Sequence, residues 1–195
     1  MRHAAALVAL LQADAARMRL LIAVRDLALP DAWIGAGFIR NAVWDERHGI
    51  ARPLIVGDVD VILFDPARAT AADDAAAEAR LRLAHPATEW SVRNQARMHA
   101  RNGDAPYASA SDAMRFWPET ATAVAARATA DGDLEVAAPY GLDDLFDLLL
   151  RPTPPFIGQR AAIFWRRVAA KRWQEKWPGL RVAGEASAGM PASPP

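Results

Sequence analysis

The stretch "IGAGFIRNAVWDERHGIARPLIVGDVDVILFD", Ile34 to Asp65, carries two glycines, a run with helical spacing and two aspartates on an apolar segment. Phe38, Ile39, Val43 and Trp44 fall on one side of a helix by the i, i+3, i+4 rule, with Gly35 and Gly37 at its mouth. "LIVGDVDVILFD" is rich in β-branched residues and reads as a strand. Side chains alternate along a strand, so Asp58 and Asp60 share one face while Val59 and Val61 take the other. Two neighbouring carboxylates repel, and burial beside the apolar run raises their pKa values unless a cation neutralises them. Mg²⁺ or Mn²⁺ answers that need, since a hard ion takes one or two carboxylates together with substrate phosphates. The glycines then have a use: backbone without side chains lets phosphates approach, and the helix start offers free N–H groups. Arg40, one turn in, adds a charge-assisted contact.

A dinucleotide-binding reading competes, because Gly35, Gly37 and Arg40 form G-x-G-x-x-R and Asp58 follows at a ribose-binding interval. It fails on two counts. The third glycine, needed for close helix–strand packing, is the long Arg40, and a ribose-binding acid belongs at the far end of its strand.

The bulk properties narrow the rest. With 195 residues the chain can bury one good core. A single domain over 1–182 is expected, with a core at about 20–100, a C-terminal hairpin and helical part at about 101–182, and a disordered tail at 183–195. Lys plus Arg and Asp plus Glu both number 23, so no global field recruits nucleic acid or membrane. No cysteine is present, which removes disulfides, thiolate metal sites and a cysteine nucleophile. The apolar N-terminal stretch is interrupted by Gln12, Asp14, Arg17 and Arg19 and reads as an amphipathic helix from about 4 to 28, not a membrane span. Arg2 and His3 give a signal-like basic start, but no small-residue cleavage site follows, and a cytoplasmic protein is expected.

Further along, "TAADDAAAEARLRLA" predicts a helix capped by Thr70, and "TEWSVRNQARM" a third strand. "SDAMRFW" predicts a short helix, "AVAARATADGDLEVAA" a hairpin around Asp131 and Gly132, and "GLDDLFDLLL" a helix. "GQRAAIFWRRVAAKRWQEKW" predicts one last helix. The fold class is α/β (α+β), a small mixed sheet flanked by helices.

The segments "IGAGFIRNAVWD" and "GDVDVILFD" resemble the strand, glycine turn, helix and DhDh strand of the DNA polymerase beta superfamily of nucleotidyltransferases. The likeness is nearest to the CCA-adding and poly(A) polymerase head, whose Gly-Gly precedes an Arg-Asp pair; Arg40 and Asn41 hold those places here. With "WSVRNQARMH", "DAMRFWPETATAV" and "APYGLDDLFDLLLRPTP", the chain is similar to a compact bacterial nucleotidyltransferase-like family from about 20 to 182. The resemblance implies transfer of a nucleoside monophosphate from a nucleoside triphosphate to an acceptor hydroxyl, with Mg²⁺ or Mn²⁺ on Asp58 and Asp60. It implies a nucleotide-binding turn of Gly35, Ala36, Gly37, Arg40 and Asn41, in which Ala36 replaces the second glycine. It also implies a third carboxylate from the next strand, for which Glu89 is the candidate and Ser91 the alternative position. The acceptor is unspecified: an RNA end, a small molecule and a protein side chain all suit such a core.

Simpler roles compete at several positions. Arg40 equally fits a salt bridge, and Asn94, Gln95, Arg97 and His99 fit structural hydrogen bonding. The basic C-terminal helix, with Trp165, Trp173 and Trp177 interleaved, reads more readily as a packed amphipathic helix than as a nucleic-acid grip. A nucleotide-binding sensor or partner module without turnover is the alternative function.

Overall fold

The computed structural model describes residues 2–51 and 57–184. The chain opens with α1 (Ala4–Gln12) and α2 (Ala15–Asp26), then β1 (Trp33–Gly35), α3 (Gly37–Arg47), β2 (Val59–Leu63) and α4 (Ala71–Ala84). There follow β3 (Trp90–Asn94), α5 (Gln95–Asn102), α6 (Ala110–Met114), β4 (Ala125–Ala128), β5 (Leu134–Ala137), α7 (Asp143–Phe146) and β6 (Leu149–Leu150). The chain closes with α8 (Ala161–Lys171), α9 (Trp173–Lys176) and β7 (Arg181–Val182).

A five-stranded mixed sheet runs in the order β3-β2-β1-β4-β5. The short central β1 is antiparallel to both neighbours, pairing Ile34 with Val61 and with Ala126, and β2 and β3 are parallel with Asp60 opposite Ser91. The predicted hairpin therefore extends this sheet through β4. Alternation divides the faces as expected. Ile34, Val59, Val61 and Val92 join the large core with Leu21, Val43 and Trp44, while Trp33, Ile62, Met114 and Ala125 form a smaller cluster on the opposite face. Asp60 belongs to that second face, at the edge of its apolar cluster.

The structure corrects several predicted elements. The long first helix is two helices, because the Asp14 side chain accepts the N–H groups of Ala16 and Arg17 and starts α2 afresh. Arg17, assigned to a polar face, is buried: its Nε donates to the Phe38 carbonyl at 3.1 Å and its guanidinium pairs with Asp14. The third strand ends at Asn94, whose side chain accepts the Ala96 N–H and caps α5. The same amide donates to the Asp65 and Arg68 carbonyls. The segment at 141–150 is helical only over Asp143–Phe146; Leu148 takes a positive φ and β6 pairs with β7 instead. The last helix breaks where Arg172 is left-handed. Thr70 and Asp73 form the capping box that starts α4. The predicted strand residues 54–56 and the tail beyond Gly184 lie outside the described residues. Among the described residues, no helix is long and apolar enough to cross a membrane.

Candidate active site

The turn from β1 to α3 is built on Ala36, with φ 52° and ψ −123°. Such a conformation suits glycine, and a Cβ there costs about 1–3 kcal/mol; a non-glycine residue thus holds a glycine's backbone shape. Gly35 is buried, and a Cβ on it would stand 3.1 Å from the Trp117 ring and 3.1 Å from the Val124 carbonyl oxygen. Its missing side chain makes room for Trp117. Gly37, in contrast, would meet only the tips of Arg40 and Asn41, at 3.6 and 3.7 Å. No side chain caps α3, which leaves N–H donors at its start of the kind that suit an anion, and Ala36 and Gly37 line the cleft.

Asp58 is exposed just ahead of β2, and Asp60 is half-buried on it. Burial, followed by the neighbouring Asp58 charge, pushes the Asp60 carboxyl up from its ordinary 3.8 to about 6, against the pull of Arg167, Arg40 and Arg93. A carboxylate pair destabilised in this way fits a divalent cation.

Cations close the cleft from the other side. Arg40 is 6% exposed and its guanidinium lies 4.9 Å from the Trp44 ring centroid and 4.5 Å from that of Trp173. Its Nη1 donates to Thr122 Oγ1 at 2.9 Å, while Nε and Nη2 donate to Asn41 Oδ1. Burial lowers the Arg40 pKa to about 10, the Glu119 charge opposing, and the group remains cationic at neutral pH. The wall above comes from α8 and α9. Arg167, Lys171, Trp173 and Lys176 face Gly37, Asp58 and Asp60 across a cleft of about 270 Å³. Asp45 fixes that wall to α3, accepting the Trp177 indole N–H at 2.9 Å and lying 3.2 Å from Lys176 Nζ. A second arm of about 260 Å³ shares Ala36, Asp60 and Arg167 and continues past Gln95, Met98 and Trp117.

Glu89 stands beside Asp58. Its backbone carbonyl accepts the Val59 N–H at 2.7 Å, and with Asp58, Ser91 and Arg93 it lines a separate polar depression. Among the described residues no three His, Asp or Glu side chains converge closely enough to hold a metal ion. Asn94 and Arg97 serve the structure, Arg97 pairing with buried Asp74. Sequence reasoning places Arg167 on the basic face of the C-terminal helix and assigns no individual role to Glu119, Thr122 or Trp117. Two segments carry a signal: "DAMRFWPETATAV" holds Trp117, Glu119 and Thr122, and the basic and aromatic interleaving of "FWRRVAAKRWQEKW" holds Arg167; the structure buries Trp173 and Trp177 of the latter and sets Arg167, Lys171 and Lys176 along the cleft.

Residues 22–182 match the family described as nucleotidyltransferase, and the chain belongs to it. No curated protein matches the chain. An NMR structure described as revealing a CCA-adding enzyme head domain is 34% identical, with 90% of this chain and 93% of that one covered and a TM-score of 0.78. A CCA-adding enzyme solved with CTP shares the fold at 13% identity and a TM-score of 0.53, over 85% of this chain and 40% of that one. A tRNA-processing enzyme complex gives 17% identity and a TM-score of 0.54, over 85% and 43%. The chain thus spans less than half of these last two. The fold is a polymerase-beta-like head, and family and fold together support nucleotidyl transfer in general.

Proposed function

We propose that residues 1–182 work as one metal-dependent nucleotidyltransferase, moving a nucleoside monophosphate from a nucleoside triphosphate to an acceptor hydroxyl. The observation that carries this reading is Asp60: a carboxylate raised by burial and by Asp58, at the foot of a cation-walled cleft. Asp58 and Asp60 would hold Mg²⁺ or Mn²⁺, which when bound offsets phosphate charge and polarises the reacting phosphoryl group. The start of α3 at Gly37 receives phosphate oxygens, and Ala36 shapes the turn. Gly35 contributes by admitting Trp117. Arg40, held by Asn41 and Thr122, supplies a fixed positive charge.

In the reaction the acceptor oxygen bonds the α-phosphorus, the bond from that phosphorus to the bridging oxygen breaks, and pyrophosphate leaves. The hydroxyl proton goes to Glu89, the proposed third acid, or to solvent. Such catalysis is positioning and charge stabilisation. The second arm past Trp117 and Gln95 takes the groups attached to the reacting phosphate. A binding module without turnover is the second reading, favoured by the lack of a three-carboxylate cluster among the described residues.

Incubation with each α-labelled triphosphate and Mg²⁺ or Mn²⁺, against RNA, small-molecule and protein acceptors, decides between them. CTP is the first donor to try, given the relative solved with it. Label transfer lost in Asp60→Asn establishes the reaction. Triphosphate binding with no transfer to any acceptor favours the binding module.

A further inference from the structure

Arg40, Arg93 and Arg167 reach the cleft beside Asp60; Arg93 is engaged by the Val92 carbonyl and by Glu78, and the other two differ in what their nitrogens do. Arg40 donates from Nε, Nη1 and Nη2, all to protein oxygens. Arg167 turns Nε toward Glu119, 2.8 Å from Oε1, and keeps 34% of its side chain exposed. Its two terminal nitrogens have no hydrogen-bond partner among the described residues, yet only Nε is enclosed. They therefore retain open surface, and Arg167 lines both arms of the cleft.

Glu119 is the complement. Its carboxylate is fully buried, and neither oxygen receives a well-directed hydrogen bond, so the contact with Arg167 is an ion pair. A buried carboxylate needs a cation held against it. The backbone around Glu119 is itself fixed, the Ala123 N–H donating to its carbonyl at 3.0 Å and the Thr153 N–H to that of Pro118 at 3.1 Å. A stationary anion thus grips one edge of the guanidinium and leaves the other edge facing the cleft. A guanidinium fork matches the spacing of phosphate oxygens. Lys176, on the same wall, is already paired with Asp45.

We propose that Arg167 is the phosphate-gripping cation of this cleft, its free terminal nitrogens taking triphosphate oxygens, and that Glu119 is a positioning residue aiming it. The inference rests on the nucleotidyl-transfer reading. It makes the C-terminal helix α8 part of the nucleotide site.

Titration calorimetry on the full chain, with Mg²⁺ and inorganic tripolyphosphate as the probe, tests this independently of turnover. Wild type binds; Arg167→Ala weakens binding by roughly tenfold or more, the expected loss of a charge-assisted contact. Glu119→Gln weakens it comparably, and the double variant binds no worse than Arg167→Ala, because Glu119 acts through Arg167. Arg167→Lys keeps Glu119 paired and carries the test where the alanine variant does not fold; losing the fork weakens it several-fold. Tripolyphosphate affinity unchanged in folded Arg167 variants, but lost in Asp58→Asn/Asp60→Asn, overturns the inference and leaves the nucleotidyl-transfer reading standing. Absence of binding by wild type overturns both.

Discussion

Asp60 on β2 stands directly opposite Ser91 on β3 in the register of the parallel pair. A hydroxyl thus occupies the position from which a carboxylate would reach Asp60, and Glu89 lies beside Asp58 instead. Ser91→Asp should raise Mn²⁺ affinity several-fold, since added ligand charge strengthens a hard-ion site. It should lower metal-free stability by adding a like charge. Glu89→Gln should leave Mn²⁺ affinity nearly intact and, if Glu89 accepts the hydroxyl proton, cut turnover by roughly 10² to 10⁴. Mn²⁺ titration and single-turnover rates on the two variants separate the positions. An unaffected rate in Glu89→Gln removes it from the mechanism.

Asp60 also sets a pH dependence. Its folded pKa, about 6, lies above the ordinary 3.8, so the stabilisation linked to its neutral form is complete below about pH 3.8 and is lost as pH rises through about 6. Ionised Asp60 therefore costs the metal-free protein up to about 3 kcal/mol at neutral pH. Asp60→Asn should melt higher than wild type at pH 8 without metal, with the gap closing below pH 4. Saturating Mg²⁺ should reverse the order at pH 8. Identical melting temperatures across that range would show that Asp60 is not destabilised.

Arg40→Ala removes a buried cation stacked between Trp44 and Trp173 and strands Thr122. A loss of about 2–4 kcal/mol is expected, visible in urea denaturation without ligand. Arg40→Lys should recover less than half of it, because an ammonium cannot reproduce the planar stacking and fork. A fully stable alanine variant with weakened triphosphate binding would assign Arg40 to the ligand alone.

Ala36→Gly should stabilise the protein by up to about 1–2 kcal/mol by relieving the strained φ, less the entropy cost of glycine. Gly35→Ala should do the reverse, since its Cβ would press on Trp117 and the Val124 carbonyl at 3.1 Å. Calorimetric melting of the pair checks the opposite signs. A destabilised Ala36→Gly would mean that the turn is not under strain.

Several features were legible in the sequence because they depend on local geometry alone. Strand alternation puts Asp58 and Asp60 on one face whatever packs around them, and the spacing of Phe38, Ile39, Val43 and Trp44 gives α3 its buried side without reference to any partner. The capping box of Thr70 and Asp73 is equally local. Breaks at Asp14, Asn94 and Arg172 were harder to read: the apolar pattern runs through each, and competing side-chain caps or a left-handed residue end the element without changing its period.

The sequence by itself determined the paired carboxylates, the glycine-flanked start of α3 and the α/β class, the first and last because backbone periodicity dictates them and the second because Gly35 and Gly37 mark it; the left-handed φ at Ala36 is visible only in the structure. Tertiary structure alone decided which cations line the cleft. Arg40 looked available one turn into its helix, but α9 lays Trp173 over it and the Thr122 hydroxyl accepts a hydrogen bond from its Nη1. Arg167 looked like surface charge, until the fold set buried Glu119 against its Nε in the wall of the cleft that Asp60 also lines. A guanidinium's role follows from which of its donors the surrounding chain has already engaged. Those partners come from elements far apart in sequence, so no local pattern encodes them.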